Sequence, residues 1–154
     1  MHGDMRKDGL RLIILDILAN ENCHGYGISD RIEKLYGIKR PSPGLVYPLL
    51  SSMQKRGLVK VTERGKRDKK IYAITDRGRE YLEARTDELR KVKKILNNLG
   101  YFYGMGGEEL MSSIKELIKN LDKVDENKRE DIAAAMEKLI NAIHEALELR
   151  KNGK

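Results

Sequence analysis

The sequence predicts a mainly α-helical protein with one small β-hairpin: an N-terminal winged helix-turn-helix followed by long C-terminal dimerisation helices. Three observations carry this. Long aliphatic residues recur at helical spacing over most of the 154 residues. Residues 40–57 read as one short helix with both ends marked. Two strand-like segments, 58–63 and 70–74, enclose the turn Arg64-Gly65-Lys66-Arg67-Asp68-Lys69, which holds four cations and a single acid.

The marked helix organises the rest. Ser42 is expected to cap its first turn through the side chain, and Pro43 suits the first helical position, where no amide hydrogen is needed. Gly57 suits a left-handed closing residue, with Lys55 and Arg56 beside the negative end of the dipole. Val46, Leu49, Leu50 and Met53 fall at i, i+3, i+4 and i+7 and form an apolar face. Tyr47, Ser51, Gln54 and Lys55 lie opposite, with groups that can donate to phosphates and base edges. Pro48 costs an interior bond unless it lies within the first turn, and it is expected near the end of that turn. The stretch reads as a DNA recognition helix.

In chain order, Leu10, Ile13, Ile14, Ile17 and Leu18 predict a first amphipathic helix over residues 8–20. A second runs over 25–36, with Ile28, Ile32 and Leu35 on one face and Gly37 as its stop. The marked helix at 43–56 and the basic-tipped hairpin follow. Three helices and such a hairpin make a winged helix, whose third helix enters the major groove while the wing meets the backbone or minor groove. Lys66, Arg67, Lys69 and Lys70 supply the wing's charge. The plainer account of those lysines is protection of a sheet edge against aggregation.

Thr75 caps a long helix over 75–99, spanning roughly 38 Å at ~1.5 Å per residue. Leu82, Leu89, Val92, Leu96 and Leu99 form a seam close to coiled-coil spacing, which needs a further surface; a partner chain is the natural one. Residues 100–107 hold four glycines around Tyr101, Phe102 and Tyr103 and predict a helix break and flexible connector. The aromatics read first as an apolar plug and second as the edge of an effector pocket. Two further helices follow, one carrying Leu110, Ile114, Leu117, Ile118 and Leu121. The other, over 127–150, carries Ile132, Met136, Leu139, Ile140, Ile143 and Leu147, as expected of a dimer helix.

Composition sets limits on function. Charged residues make up 36% and aromatics 5%, with no Trp, as in a soluble helical protein. No apolar run, that at 12–15 included, comes near the length of a membrane span. Residues 1–8 lack an apolar signal core, so the cytoplasm is the expected compartment. Residues 1–80 hold 17 Lys and Arg against 10 Asp and Glu, whereas residues 81–154 hold 14 of each, so all of the +7 net charge lies in the first half. This division suggests a nucleic-acid module over 1–80 and an assembly or effector region over 81–154. Cys23 is the sole cysteine and reads as a small core residue. His2, His24 and His144 fall in separate elements, so no metal site or cofactor is expected. No paired acid and base, activated nucleophile or phosphate-cradling loop stands out, and an enzyme is not expected.

These residues resemble the PadR-like transcriptional regulators. His24-Gly25-Tyr26-Gly27-Ile28 looks like that family's opening of the second helix. Pro41-Ser42-Pro43-Gly44-x-Val46-Tyr47-Pro48-Leu49-Leu50 looks like its recognition-helix signature, and Gly57-Leu58-Val59 with Tyr72-x-Ile74-Thr75-x-x-Gly78 completes the order over residues 10–85. The resemblance implies a homodimeric repressor that binds operator DNA and is relieved, in some members, by a small aromatic effector. By position, Tyr26 and Tyr47 would donate hydroxyls to phosphates, and Ser42, Gly44 and the following amides would face the backbone. Leu45 stands where the family often has Thr, and Ile71 where a wing aromatic is common. The competing readings are a winged-helix protein-interaction module and a non-specific architectural DNA-binding protein.

Overall fold

The computed structural model describes residues 2–64 and 69–148. The elements are α1 (His2–Asn20), β1 (Cys23–His24), α2 (Gly25–Tyr36), α3 (Pro43–Lys55), β2 (Val59–Arg64), β3 (Lys70–Ile74), α4 (Asp76–Glu83), α5 (Thr86–Gly104), α6 (Gly107–Asn120) and α7 (Glu126–Ala146). A 3-10 turn, Leu121–Lys123, precedes α7. Two compact units result, 1–108 and 109–154.

In the first unit α1, α2 and α3 pack around Ile13, Ile14, Leu15, Leu18, Ile28, Ile32, Val46, Leu50 and Met53, all buried. Each such side chain contributes about 1.5–3 kcal/mol on burial. The sheet closes this core. Its order is β1-β3-β2, antiparallel throughout, with Val59 opposite Ile74 and Val61 opposite Tyr72. A bulge between Val61 and Glu63 interrupts the register, adding local twist to the hairpin. The two-residue β1, which pairs Cys23 with Tyr72, was not legible in the sequence. The wing cations Lys66 and Arg67 lie outside the described residues, whereas Lys69 and Lys70 stand exposed where β3 begins.

Both ends of α3 fall near their expected places. At its C-terminus Gly57 has φ +71, its amide donates to the Gln54 carbonyl at 3.0 Å, and the Leu58 amide donates to the Met53 carbonyl at 2.9 Å. This pair of bonds closes the helix as a left-handed glycine allows. At the N-terminus one expectation is corrected: the Ser42 side chain makes no capping bond. Its carbonyl instead accepts from the Leu45 and Val46 amides. Pro48 lies beyond the first turn, so α3 forgoes the bond its nitrogen would have given to Gly44 and still continues to Lys55.

The single helix expected over 75–99 is two. α4 ends at Glu83, and Arg85, at φ −124 and ψ 29, redirects the chain into α5. Asp87 and Glu88 then place acids on the positive end of the new helix. The expected break over 100–107 is also corrected, because α5 continues to Gly104 and the turn is confined to Met105 and Gly106, the latter at φ +89. Gly100 sits inside α5 because the helix crosses the end of α2 there. A Cβ at Gly100 would overlap the Tyr36 carbonyl oxygen and stand 3.1 Å from its carbon. Leu82, Leu89, Val92 and Leu96 are partly buried against the core of their own chain. The surface that this seam required is therefore supplied, for these four, by the first unit itself. Lys93 pairs with Asp16 of α1 at 2.7 Å on the same contact.

Thr75 joins the hairpin to α4. Its hydroxyl accepts from the Gly78 amide at 3.0 Å and donates to the Gly57 carbonyl at 2.6 Å. Thr75→Ala is expected to cost about 1–2 kcal/mol by urea unfolding, while Thr75→Ser keeps both bonds and most of the stability. An equal loss in both variants would assign the effect to the methyl group instead.

In the second unit α7 starts one residue before the expected 127, capped by the Asp125 side chain, which accepts from the Lys128 amide at 2.9 Å. Residues 149–150 of its expected span lie outside the described residues. Among the described residues of this unit no apolar side chain is buried. Met136, Leu139, Ile140 and Ile143 of α7, and Leu147 just after it, are all more than two-fifths exposed.

Candidate nucleic-acid interface

The outer face of α3 presents Tyr47, Ser51, Gln54 and Lys55 to solvent, while Val46, Leu49, Leu50 and Met53 anchor the helix from behind. The segregation follows from the spacing alone. At the helix start the Leu45 and Val46 amides are satisfied by Ser42, Pro43 has none to offer, and the Gly44 amide is unclaimed among the described residues. A Cβ at Gly44 would meet nothing within 4 Å. An open amide at the positive end of a helix suits an anion.

The start of α2 lies beside the start of α3. Tyr47 rests against Gly25, where a Cβ would stand 2.7 Å from Tyr47 Cε1 and 2.8 Å from Cζ. Gly25 is therefore the residue that lets Tyr47 approach the α2 terminus. His24 caps α2: its Nδ1 accepts from the Gly27 amide at 3.0 Å. That bond fixes the tautomer, leaving any ring proton on Nε2 as a donor. The imidazole also lies near-parallel to the Tyr26 ring, with centroids 6.3 Å apart.

Tyr26 is 53% exposed and held from the side by Arg40. The guanidinium carbon lies 4.8 Å from the ring centroid, and Nη1 donates to the Tyr26 hydroxyl oxygen. Nε donates to Glu33 at 2.8 Å and Nη2 to Asp30 at 3.2 Å. Because the Tyr26 oxygen accepts from Arg40, its own proton is free to point outward. Lys34 also pairs with Asp30, at 2.7 Å. The Lys34 hydrogen bond, with the charges of Lys34 and Arg40, holds the Asp30 carboxyl below its ordinary range against a smaller opposing effect of burial. Burial pushes the Tyr72 hydroxyl, behind Tyr47, upward. Both tyrosines next to the α3 start are thus positioned by neighbours that the site itself supplies.

Tyr26, Ser42, Gly44 and Tyr47 come together at one end of α3, and Ser51, Gln54 and Lys55 continue along its outer face. Arg40 and Gly25 had escaped the sequence reading as site residues. The signal for Arg40 was its place two residues before Ser42, but its partners lie seven, ten and fourteen residues away along the chain. Among the described residues no group of three or more His, Cys, Asp or Glu could hold a metal ion, and no helix is long and apolar enough to cross a membrane.

A three-helix unit with a recognition-type third helix and a two-stranded wing defines a winged-helix protein. The sequence model of the transcriptional regulator PadR-like family matches residues 14–84. A PadR-like transcriptional regulator from Bacillus cereus is 36% identical, with a TM-score of 0.50 over 62% of this chain and 95% of that one. A transcriptional regulator from Clostridium thermocellum is 25% identical, with a TM-score of 0.51 over 62% of this chain and 93% of that one. The transcriptional regulator YqjI of Escherichia coli is 37% identical over 86 residues, or 55% of this chain. The chain spans 41% of the length of that relative. The chain belongs to the PadR-like family of transcriptional regulators.

Proposed function

We propose that the protein is a homodimeric, sequence-specific DNA-binding repressor acting in the cytoplasm. The carrying observation is the outer face of α3, where Tyr47, Ser51, Gln54 and Lys55 stand exposed, joined at its N-terminus to an amide with no partner among the described residues and to two oriented tyrosines. An interaction module would favour an exposed apolar patch in that position. Residues 1–80 take the DNA role, with Lys66, Arg67, Lys69 and Lys70 as wing contacts, and residues 81–154 take the assembly role. Within 1–108, α5 braces α1 and α2 through Leu89, Val92 and Leu96.

The dimer reading is supported by the second unit, whose apolar side chains, among the described residues, are at most partly buried. One winged helix covers only on the order of 600–1,000 Å² of protein surface on DNA, so specificity needs two half-sites, about 34 Å apart. Leu99, Ile132, Met136, Leu139, Ile140, Ile143 and Leu147 are the proposed contacts. A small aromatic effector enters through family resemblance alone. Phe102 packs on Gly107, where any Cβ would overlap its ring, and Tyr103 lies beside it at 6.1 Å between centroids. Tyr101, 77% exposed, offers the open ring.

Fluorescence-anisotropy titration on the protein's own upstream DNA and on a scrambled duplex, at two salt concentrations, tests the reading. A preference of ~10³ or more with a dimer per site is expected. Lys66→Ala with Arg67→Ala should weaken binding to all sequences and flatten the salt dependence. Equal binding to both duplexes would favour architectural packing, and no binding would favour an interaction module.

A further inference from the structure

We infer that Arg56, Tyr81 and Arg85 form a second backbone-phosphate site at the C-terminal end of α3, remote from the Tyr26 and Ser42 end. This rests on the DNA-binding reading and deepens it. The Arg85 guanidinium carbon lies 3.7 Å from the centroid of the Tyr81 ring, and that of Arg56 lies 5.2 Å from the same centroid. Arg85 Nη1 also donates to the Tyr81 carbonyl at 3.2 Å, which fixes its plane. Arg77 borders the cluster: its Cδ and Nη1 stand 3.7 and 3.9 Å from where a Cβ on Gly57 would be.

The counterions are missing from this cluster. Arg11, Arg31, Arg40 and Arg90 each pair with a carboxylate, to Asp8, Glu21, Asp30 with Glu33, and Asp87. Among the described residues Arg56, Arg77 and Arg85 pair with none, although Asp76, Glu80 and Glu83 belong to the same helix, α4. Arg77 and Tyr81 stand at i and i+4 on α4, and Arg85, beyond the end of that helix, lies over the Tyr81 ring. Stacking occupies the face of a guanidinium and leaves N–H groups at its edge for a phosphate. Two such forks held on one ring are oriented before any ligand arrives.

Their place suits DNA. α3 has 13 residues and so is roughly 20 Å long at ~1.5 Å each, against a major groove about 12 Å wide. A helix whose N-terminus meets one backbone therefore brings its other end to the opposite backbone. That end carries the negative pole of the dipole, which repels phosphate. Side-chain cations are needed there, and this cluster supplies them.

The test is the salt dependence of binding by the full chain to a duplex carrying its preferred site. Arg56→Gln with Arg85→Gln is compared with Arg90→Gln with Lys91→Gln, which removes the same charge from the exposed side of α5. The first pair should lower the slope of log K against log salt by about two, at ~0.9 for each phosphate no longer neutralised. Site preference should persist, because phosphate contacts carry no sequence information directly. The α5 pair should leave the slope at the unaltered value. If the double variant fails to fold, the exposed Arg56→Gln alone should lower the slope by about one. An unchanged slope in a folded variant overturns this site while leaving the DNA-binding reading intact, and absence of binding by the unaltered chain overturns both.

Discussion

Gly78→Ala is expected to lower the stability of the first unit by ~3 kcal/mol or more, among the largest single-methyl effects in the chain. A Cβ at Gly78 would overlap the Leu58 carbonyl oxygen and stand 2.7 Å from Ile74 Cγ1. Neither neighbour can withdraw. The Leu58 carbonyl accepts the Thr75 amide at 3.1 Å, and Leu58 and Ile74 are both buried. Relief requires α4 to lift from the hairpin, which breaks the Thr75 cap as well. Overpacking alone costs about 1–3 kcal/mol, and a backbone obstruction adds to it. Against a typical total of ~5–15 kcal/mol this leaves little of the folded population in reserve. Gly104→Ala is the internal control: it lies in α5, and its Cβ would meet nothing within 4 Å, so a gain of about 0.4–1 kcal/mol is expected. Urea midpoints read both. A loss in the two variants alike would locate the cost in α-helical glycine replacement generally rather than in the contact with Leu58.

Arg40→Ala should reduce affinity for the preferred duplex by roughly 10²-fold, with a smaller effect on the urea midpoint. The substitution removes one cation beside the start of α3 and leaves the Glu33 carboxylate without its partner there. It also frees the Tyr26 ring from the guanidinium that stands against it. Each change disfavours phosphate, and partial solvation of these groups keeps the effect on stability small. Arg40→Lys keeps the charge without the fork and should recover only part of the affinity. Asp30 gives a second readout. Its folded carboxyl lies below the ordinary range, so the stability it contributes is present above the unfolded pKa and is lost as pH falls through the folded one. Without Arg40, whose charge adds to the larger effect of Lys34, the folded carboxyl should titrate at somewhat higher pH, so that the loss is smaller and is complete sooner as pH falls, as followed by carboxyl NMR titration. Unchanged DNA affinity in a folded Arg40→Ala protein would remove the α2–α3 junction from the interface.

How much of this was legible depends on the range of the interactions involved. α3 could be read because its signals are local: the apolar stripe Val46, Leu49, Leu50, Met53, the Pro43 start and the Gly57 stop all act within two turns. Gly57 and Gly100 show where such reading ends. At Gly57 the glycine marks a terminus through its own φ, whereas at Gly100 the same residue type marks a helix–helix crossing, and the reason is the Tyr36 carbonyl sixty-four residues earlier. The division at Arg85 was hidden by a continuous leucine stripe, even though Thr86-Asp87-Glu88 is a sound helix opening. Ser42 kept its place but exchanged side chain for carbonyl, a difference of rotamer that residue type does not encode. Of the interface, the outer face of α3 was visible as a pattern. The clamp of Arg40 on Tyr26 was not, since it joins residues brought together only by packing α2 beside α3.

The uncovered apolar stripe of α7 makes order in the second unit a matter of mass action. A helix pair that buries no apolar side chain fully on its own gains much of its free energy from whatever covers it, so its folded fraction rises with the concentration of that cover. If the cover is a second copy, dilution loosens residues 109–154 while the self-contained core of 1–108 stays closed. A freshly made chain at low abundance would then hold a finished DNA-reading surface but no fixed spacing between two of them. Copy number, set by synthesis and degradation, would act on operator occupancy more steeply than in proportion.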